Sequence, residues 1–139
     1  MRVALLGRSA YIDAMTALAE ASLRADERAL LERFVEELHL RLGEGLRGVW
    51  LFGSRARGEE PAEYSDVDVL VFVDDASWDD RMRVRGMLDD AARELGMDAL
   101  VWSFSVHVHT PGWLVQRREI RSFFVAELDR DKIALCGAL

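Results

Sequence analysis

A partner for Cys136 is missing. With one cysteine in 139 residues, no disulfide can close within the chain, and the thiol reads as a buried filler in a reducing, cytoplasmic setting. Long apolar runs are missing as well. The N-terminal Val3-Ala4-Leu5-Leu6 is shorter than the apolar stretch of a secretion signal, and nothing reaches the roughly 20 residues that span a bilayer, so a soluble protein with no membrane partner is expected. A basic excess is absent too: 18 Lys and Arg stand against 25 Asp and Glu, a formal net charge of −7. A nucleic-acid duplex, which demands a basic face, is therefore not expected as the main partner. Between Glu59 and Asp80 nine acids occur without a single cation. There is no internal repeat or low-complexity tract, and 50% hydrophobic residues exclude a disordered chain. The length suits one domain with a true core.

What is present centres on residues 49–73. An apolar run, Val49-Trp50-Leu51-Phe52, ends at Gly53-Ser54-Arg55-Ala56-Arg57-Gly58, and a second run, Val67-Asp68-Val69-Leu70-Val71-Phe72-Val73, follows Ser65-Asp66. A short apolar run closed by glycine predicts a buried strand meeting a tight turn. In an extended strand, residues i and i+2 share a face about 6 to 7 Å apart, so Asp66 and Asp68 converge while Val67, Val69 and Val71 face the core. Paired carboxylates suit Mg²⁺, which keeps waters and takes substrate phosphates as further ligands. The Ser54 hydroxyl and nearby backbone N–H groups offer donors to phosphate oxygens, and Arg55 and Arg57 offer fork-shaped charge neutralisation.

Taken together, the apolar strand, the Gly-Ser turn, a spacer of about ten residues and the Asp-x-Asp pair resemble the minimal nucleotidyltransferase (MNT) family of the DNA polymerase beta superfamily. The resemblance implies an α/β (α+β) nucleotidyltransferase fold, a small mixed β-sheet packed against helices. It implies transfer of a nucleoside monophosphate, with AMP from ATP expected, to an acceptor hydroxyl in a Mg²⁺-dependent reaction. Asp66 and Asp68 are then catalytic and metal-binding, and Gly53, Ser54, Arg55, Arg57 and Ser65 surround the nucleotide. Small domains of this family are often antitoxins paired with a helical HEPN-type protein, which makes such a protein the expected acceptor; a homo-oligomer stays open. Two segments are expected, an N-terminal helical extension over 1–25 and the nucleotidyltransferase domain over 26–139.

Along the chain, helical spacing is read over 10–24 behind Ser9, and from a cap at Asp26 to about Leu42, with Leu30, Leu31, Phe34, Val35, Leu38 and Leu42 as its apolar stripe. His39 adjoins that stripe and reads as a packing or surface residue. Gly43-Glu44-Gly45-Leu46-Arg47-Gly48 spells the dinucleotide fingerprint, but between a helix end and a strand start, where helix-terminating glycines explain it better. Ser77 and Asp80 form a capping box for a helix that stops at Gly96, on which Arg81, Arg83 and Arg85 read as solvating charges. Alternation over 99–109 predicts a half-buried strand, with Leu100, Trp102, Phe104, Val106 and Val108 on its apolar side. Thr110-Pro111 opens a last helical region, whose Trp113, Leu114, Ile120, Phe123, Phe124, Val125 and Leu128 read as core, and Lys132–Cys136 as a closing edge strand.

In the resembled fold a third carboxylate comes from the strand read at 99–109. Here Ser105 stands at the corresponding place, which the resemblance takes to mean nucleotide and metal binding with transfer slowed or stopped. A catalytically impaired nucleotide- or partner-binding module is the alternative function. His107 and His109 share the polar face; a lone His-x-His is a weak zinc signal, and His107 is placed near the nucleotide.

Overall fold

The computed structural model describes residues 18, 19, 21–60 and 65–139. Most of the helix expected over 10–24 lies outside the described residues. At its end, Leu18 and Ala21 are buried in the main core, and the Ser22 N–H donates to the Arg55 carbonyl at 2.9 Å.

Helix α1 spans Ala25–Leu42 and buries Leu30, Leu31, Phe34, Val35 and Leu38, the stripe read from its periodicity. Each of these side chains, withdrawn from water, contributes about 1.5–3 kcal/mol. The cap differs from expectation. Arg24, not Asp26, precedes the helix, and Glu27 reaches back to accept the Arg24 N–H at 2.9 Å. That leaves Asp26 in the first turn, where its charge suits the positive end of the helix. A 3₁₀ turn at Gly43–Gly45 leads into strand β1, Leu46–Phe52, so the glycine-rich stretch closes a helix as expected.

The short helix α2, Gly53–Ala56, follows β1 directly, and β2, Val67–Val73, has the bounds its alternation predicted. Helix α3, Trp78–Glu94, carries the predicted reciprocal cap: the Asp80 N–H donates to Ser77 Oγ at 3.2 Å and Asp80 Oδ2 accepts the Ser77 N–H at 3.1 Å. Arg85 on α3 is not merely solvating, since it donates to the Phe104 and Val101 carbonyls at 3.3 and 3.2 Å.

The strand expected over 99–109 is shorter. Residues Asp98–Ser103 form a 3₁₀ turn and β3 is Phe104–His109, which leaves Trp102 82% exposed. The last helical region is two helices, α4 at Pro111–Glu119 and α5 at Phe123–Asp131, broken where Arg121 takes a positive φ of 54°. Strand β4, Ile133–Cys136, closes the sheet edge, and burial pushes the Cys136 thiol up to about 12.

The sheet order is β3-β2-β1-β4. Strand β1 is antiparallel to β2 and β4, and β2 is parallel to β3, so the sheet is mixed. One face packs Val49, Leu51, Val67, Val69, Val71 and Val108 into one cluster with the apolar sides of α1 and α3. The other packs Trp50, Phe52, Leu70 and Phe72 with Leu114 of α4 and Val125 and Leu128 of α5.

Several residues read as core at the C-terminal end are not. Ile120, Phe123 and Phe124 are 62%, 78% and 48% exposed. The break at Arg121 turns α5 so that Val125 and Leu128 are buried against the sheet, while Phe124 meets only the edge of Phe52 and Phe123 stays in solvent.

Candidate functional site

Cross-strand neighbours point to the same side of a sheet. Phe52 on β1 pairs with Asp68 on β2, and Asp68 pairs with Ser105 on β3. The next row is Trp50, Leu70 and His107. Asp68 therefore stands between Phe52 and Ser105, at the sheet end where the chain turns through Gly53. That turn requires glycine twice over. Its φ is 75°, and a Cβ there would overlap Asp68 Oδ2, so the carboxylate lies directly against the turn backbone.

Asp66 sits one residue ahead of β2 and is exposed, and its charge acts on Asp68. Burial raises the Asp68 pKa, the nearby Asp66 adds to that, and His107, Arg55 and Arg57 partly offset it. The site thus concentrates negative charge in a partly desolvated place, an arrangement that a divalent cation relieves. Among the described residues, no group of three or more His, Cys, Asp or Glu side chains gathers as a metal site. The donor set that fits a cation is the Asp66 and Asp68 pair, with room for waters and substrate oxygens to complete it.

Ser105 Oγ lies 3.2 Å from His107 Nε2, and the His107 ring is 5.5 Å from that of Phe52. His109 has a different ring partner. It stacks on Trp113 at 3.8 Å with the rings 10° from parallel, and burial, with the charges of Arg81, His107 and Arg117, lowers its pKa to about 4. The two histidines of the His-x-His border one cavity with Arg81 and Arg85 but have different ring partners, Phe52 for His107 and Trp113 for His109.

The expectation that Arg55 reaches phosphate is corrected by its burial. Its side chain is 1% exposed and pairs with Glu27 at 2.7 Å, while also donating to the carbonyl of Ser22 and to the hydroxyl and carbonyl of Ser65. A guanidinium spent on four internal acceptors shapes the turn and holds Ser65, the residue before Asp66. Arg57 remains accessible, at 38% side-chain exposure, with Nε 2.7 Å from Glu59 and Nη1 3.6 Å from Asp131.

Sequence reasoning missed Glu27 and Glu127. Glu27 is fully buried against Arg55, yet in sequence it is one acid in a helix start that is acidic anyway. Glu127 borders a cavity of about 130 Å³ that also touches Gly53 and Phe124. Its signal was the helical spacing of Phe124, Glu127 and Leu128, which alone does not separate a pocket wall from a core face.

The nucleotidyltransferase domain family matches residues 29–105, a stretch that contains α1 from Ala29 onward, the turn, the paired aspartates and Ser105. The chain belongs to the nucleotidyltransferase domain family. Its match covers more than half of the 139 residues. Among solved structures, this nucleotidyltransferase is similar to crystal structures of two mutants of the toxin-antitoxin MntA-HpeT. One is 18% identical with a TM-score of 0.46, over 78% of this chain and 72% of that one; the other is 14% identical with a TM-score of 0.48, over 77% and 73%. No curated protein matches. No helix among the described residues is long and apolar enough to cross a membrane.

Proposed function

We propose that the domain binds a nucleoside triphosphate with Mg²⁺ at the Gly53-Ser54 turn and transfers its monophosphate, with ATP as donor, to a hydroxyl of a protein partner. The observation that carries this reading is the seating of the Asp68 carboxylate against Gly53, which joins the acid pair and the turn into one place. Asp66 and Asp68 hold the metal. The cation, when bound, neutralises phosphate charge and helps to align the reacting oxygens. Ser54 and Arg57 bind the triphosphate, Gly53 lets it approach the backbone, and Arg55 with Ser65 keeps the turn and Asp66 in register. In the transfer, the acceptor hydroxyl gives up its proton to solvent as its oxygen forms a bond to the α-phosphorus, the bond from that phosphorus to the bridging oxygen breaks, and pyrophosphate leaves.

The MNT resemblance extends the reading to an antitoxin acting on a HEPN-type helical partner in the cytoplasm, with residues 1–25 as an extension to the domain over 26–139. A second reading rests on Ser105. It takes the Cα register opposite Asp68, where the resembled fold carries a third acid, which favours a module that binds nucleotide or partner with little turnover.

One experiment separates the two. The protein is incubated with Mg²⁺, labelled ATP and its co-encoded partner, beside an Asp66→Asn/Asp68→Asn form. Label on the partner that disappears with the double substitution supports transfer. Label that persists refutes the assignment of the two aspartates, and Mg²⁺-dependent ATP binding without label supports the second reading.

A further inference from the structure

The cavity that opens at Gly53 runs between α2 and α5. Phe52, Phe124 and Leu128 form its apolar walls, and Arg57, Glu127 and Asp131 its polar rim. At about 130 Å³ it is well below the roughly 300 Å³ at which pockets hold whole drug-sized ligands. It has room for one flat heterocycle.

Phe124 stands at this cavity 48% exposed, edge-on to Phe52 with ring centroids 6.1 Å apart. An aromatic face kept in solvent beside a phosphate-binding turn is the usual platform for a nucleobase. The rim carboxylates differ in how much acceptor capacity they have left. Asp131 is gripped by Arg130 through two hydrogen bonds of 2.9 Å and lies 3.6 Å from Arg57. Glu127 meets Arg130 only at 4.0 Å and its side chain is 46% exposed. An ionised carboxylate only accepts, so the base edge that meets Glu127 must donate.

We propose that this cavity is the nucleobase subsite and that Glu127 makes it select a purine whose six-position carries an amino group over one that carries a carbonyl. The inference rests on the nucleotidyltransferase reading of the neighbouring turn. An adenine amino group donates to Glu127, whereas the hypoxanthine carbonyl oxygen faces it acceptor to acceptor and leaves both undonated. Glutamine in place of Glu127 presents one donor and one acceptor and serves both bases.

The test is calorimetric binding of ATP, ITP and inorganic tripolyphosphate, each with Mg²⁺, to the full chain and to Glu127→Gln and Phe124→Ala. ATP is expected to bind about tenfold more tightly than ITP. Glu127→Gln should bring the two within about twofold, and Phe124→Ala should weaken both alike while leaving tripolyphosphate unchanged. Both side chains are well exposed, so unchanged thermal midpoints are expected. Equal ATP and ITP affinities in the parent, or a preference that survives Glu127→Gln, overturns the selectivity. Tripolyphosphate bound as tightly as ATP removes the base subsite but leaves the triphosphate reading standing. Failure of all three ligands to bind removes both.

Discussion

Replacing Arg55 by Met is expected to cost about 3–5 kcal/mol, and the figure follows from where its partner lies. Glu27 is 0% and Arg55 1% exposed, with 2.7 Å between them, so the substitution strands a carboxylate that water cannot reach. Nothing else compensates among the described residues, where the one other donor to Glu27 Oε1 is the Arg24 backbone N–H and Oε2 is buried without a hydrogen-bond partner. A domain of this size has a total stability on the order of 7–20 kcal/mol, so the loss is a large share of it. At about 3 °C per kcal/mol, the thermal midpoint falls by roughly 9–15 °C. Circular dichroism during heating and in urea measures both. A Glu27→Leu/Arg55→Met pair, which removes the stranded charge, is expected to be more stable than Arg55→Met alone. Burial pushes the Glu27 pKa up, but the Arg55 and Arg24 hydrogen bonds and charges outweigh it and hold it below its ordinary value. The pair's contribution is therefore present above the ordinary carboxylate range and lost as pH falls through the depressed folded value. A cost under 1 kcal/mol for Arg55→Met, or a double variant as damaged as the sum of its singles, refutes the argument.

Gly53→Ala is expected to cost about 1–3 kcal/mol from its positive φ and to abolish ATP binding by displacing Asp68; titration with Mg²⁺-ATP checks it, and near-parental affinity counts against the site. Ser105→Asp supplies an acid directly beside Asp68 and is expected to raise the single-turnover transfer rate at least tenfold, whereas an unchanged or slower rate shows that a third carboxylate is not what limits it. Asp68→Asn should lose transfer yet raise the thermal midpoint at pH 7 by about 1–3 °C. The reason is that a folded pKa raised by burial makes ionised Asp68 oppose folding, a penalty that fades as pH falls through the folded value. For His109 the sign is opposite to that of a histidine that gains a charged partner: its pKa falls from 6.5 to about 4, so its contribution is present above 6.5 and is lost as pH drops toward 4. His109→Phe, which keeps the stack on Trp113, should flatten the midpoint across that range, and an unchanged profile refutes the assignment.

The parts of this fold legible in the sequence are those set by local chemistry. β2 carried strict valine alternation after an acid, α3 carried both halves of its cap at Ser77 and Asp80, and Thr110-Pro111 announced α4. The unread parts depend on distant residues or on conformations that the residue types do not signal. Alternation over 99–103 mimicked a strand although those residues wind as a 3₁₀ turn. The break between α4 and α5 falls on Arg121, which has no glycine or proline to mark it. The site divided the same way: the turn and the acid pair were read from spacing and the place of Ser105 from the family resemblance, but the burial of Arg55 depends on Glu27, 28 positions away, which no motif names.

The two hydrogen bonds between Ser22 and Arg55, one to each other's backbone and one through the guanidinium, bear on how the gene can be trimmed. A division of labour at residue 25 is not a line along which the polypeptide can be cut. A fragment starting at residue 26 would discard Ser22 together with Leu18 and Ala21 from the core, and would loosen the bend beside Asp68 from behind. A fragment that keeps Leu18, Ala21 and Ser22 beneath the turn at Gly53 starts no later than Leu18.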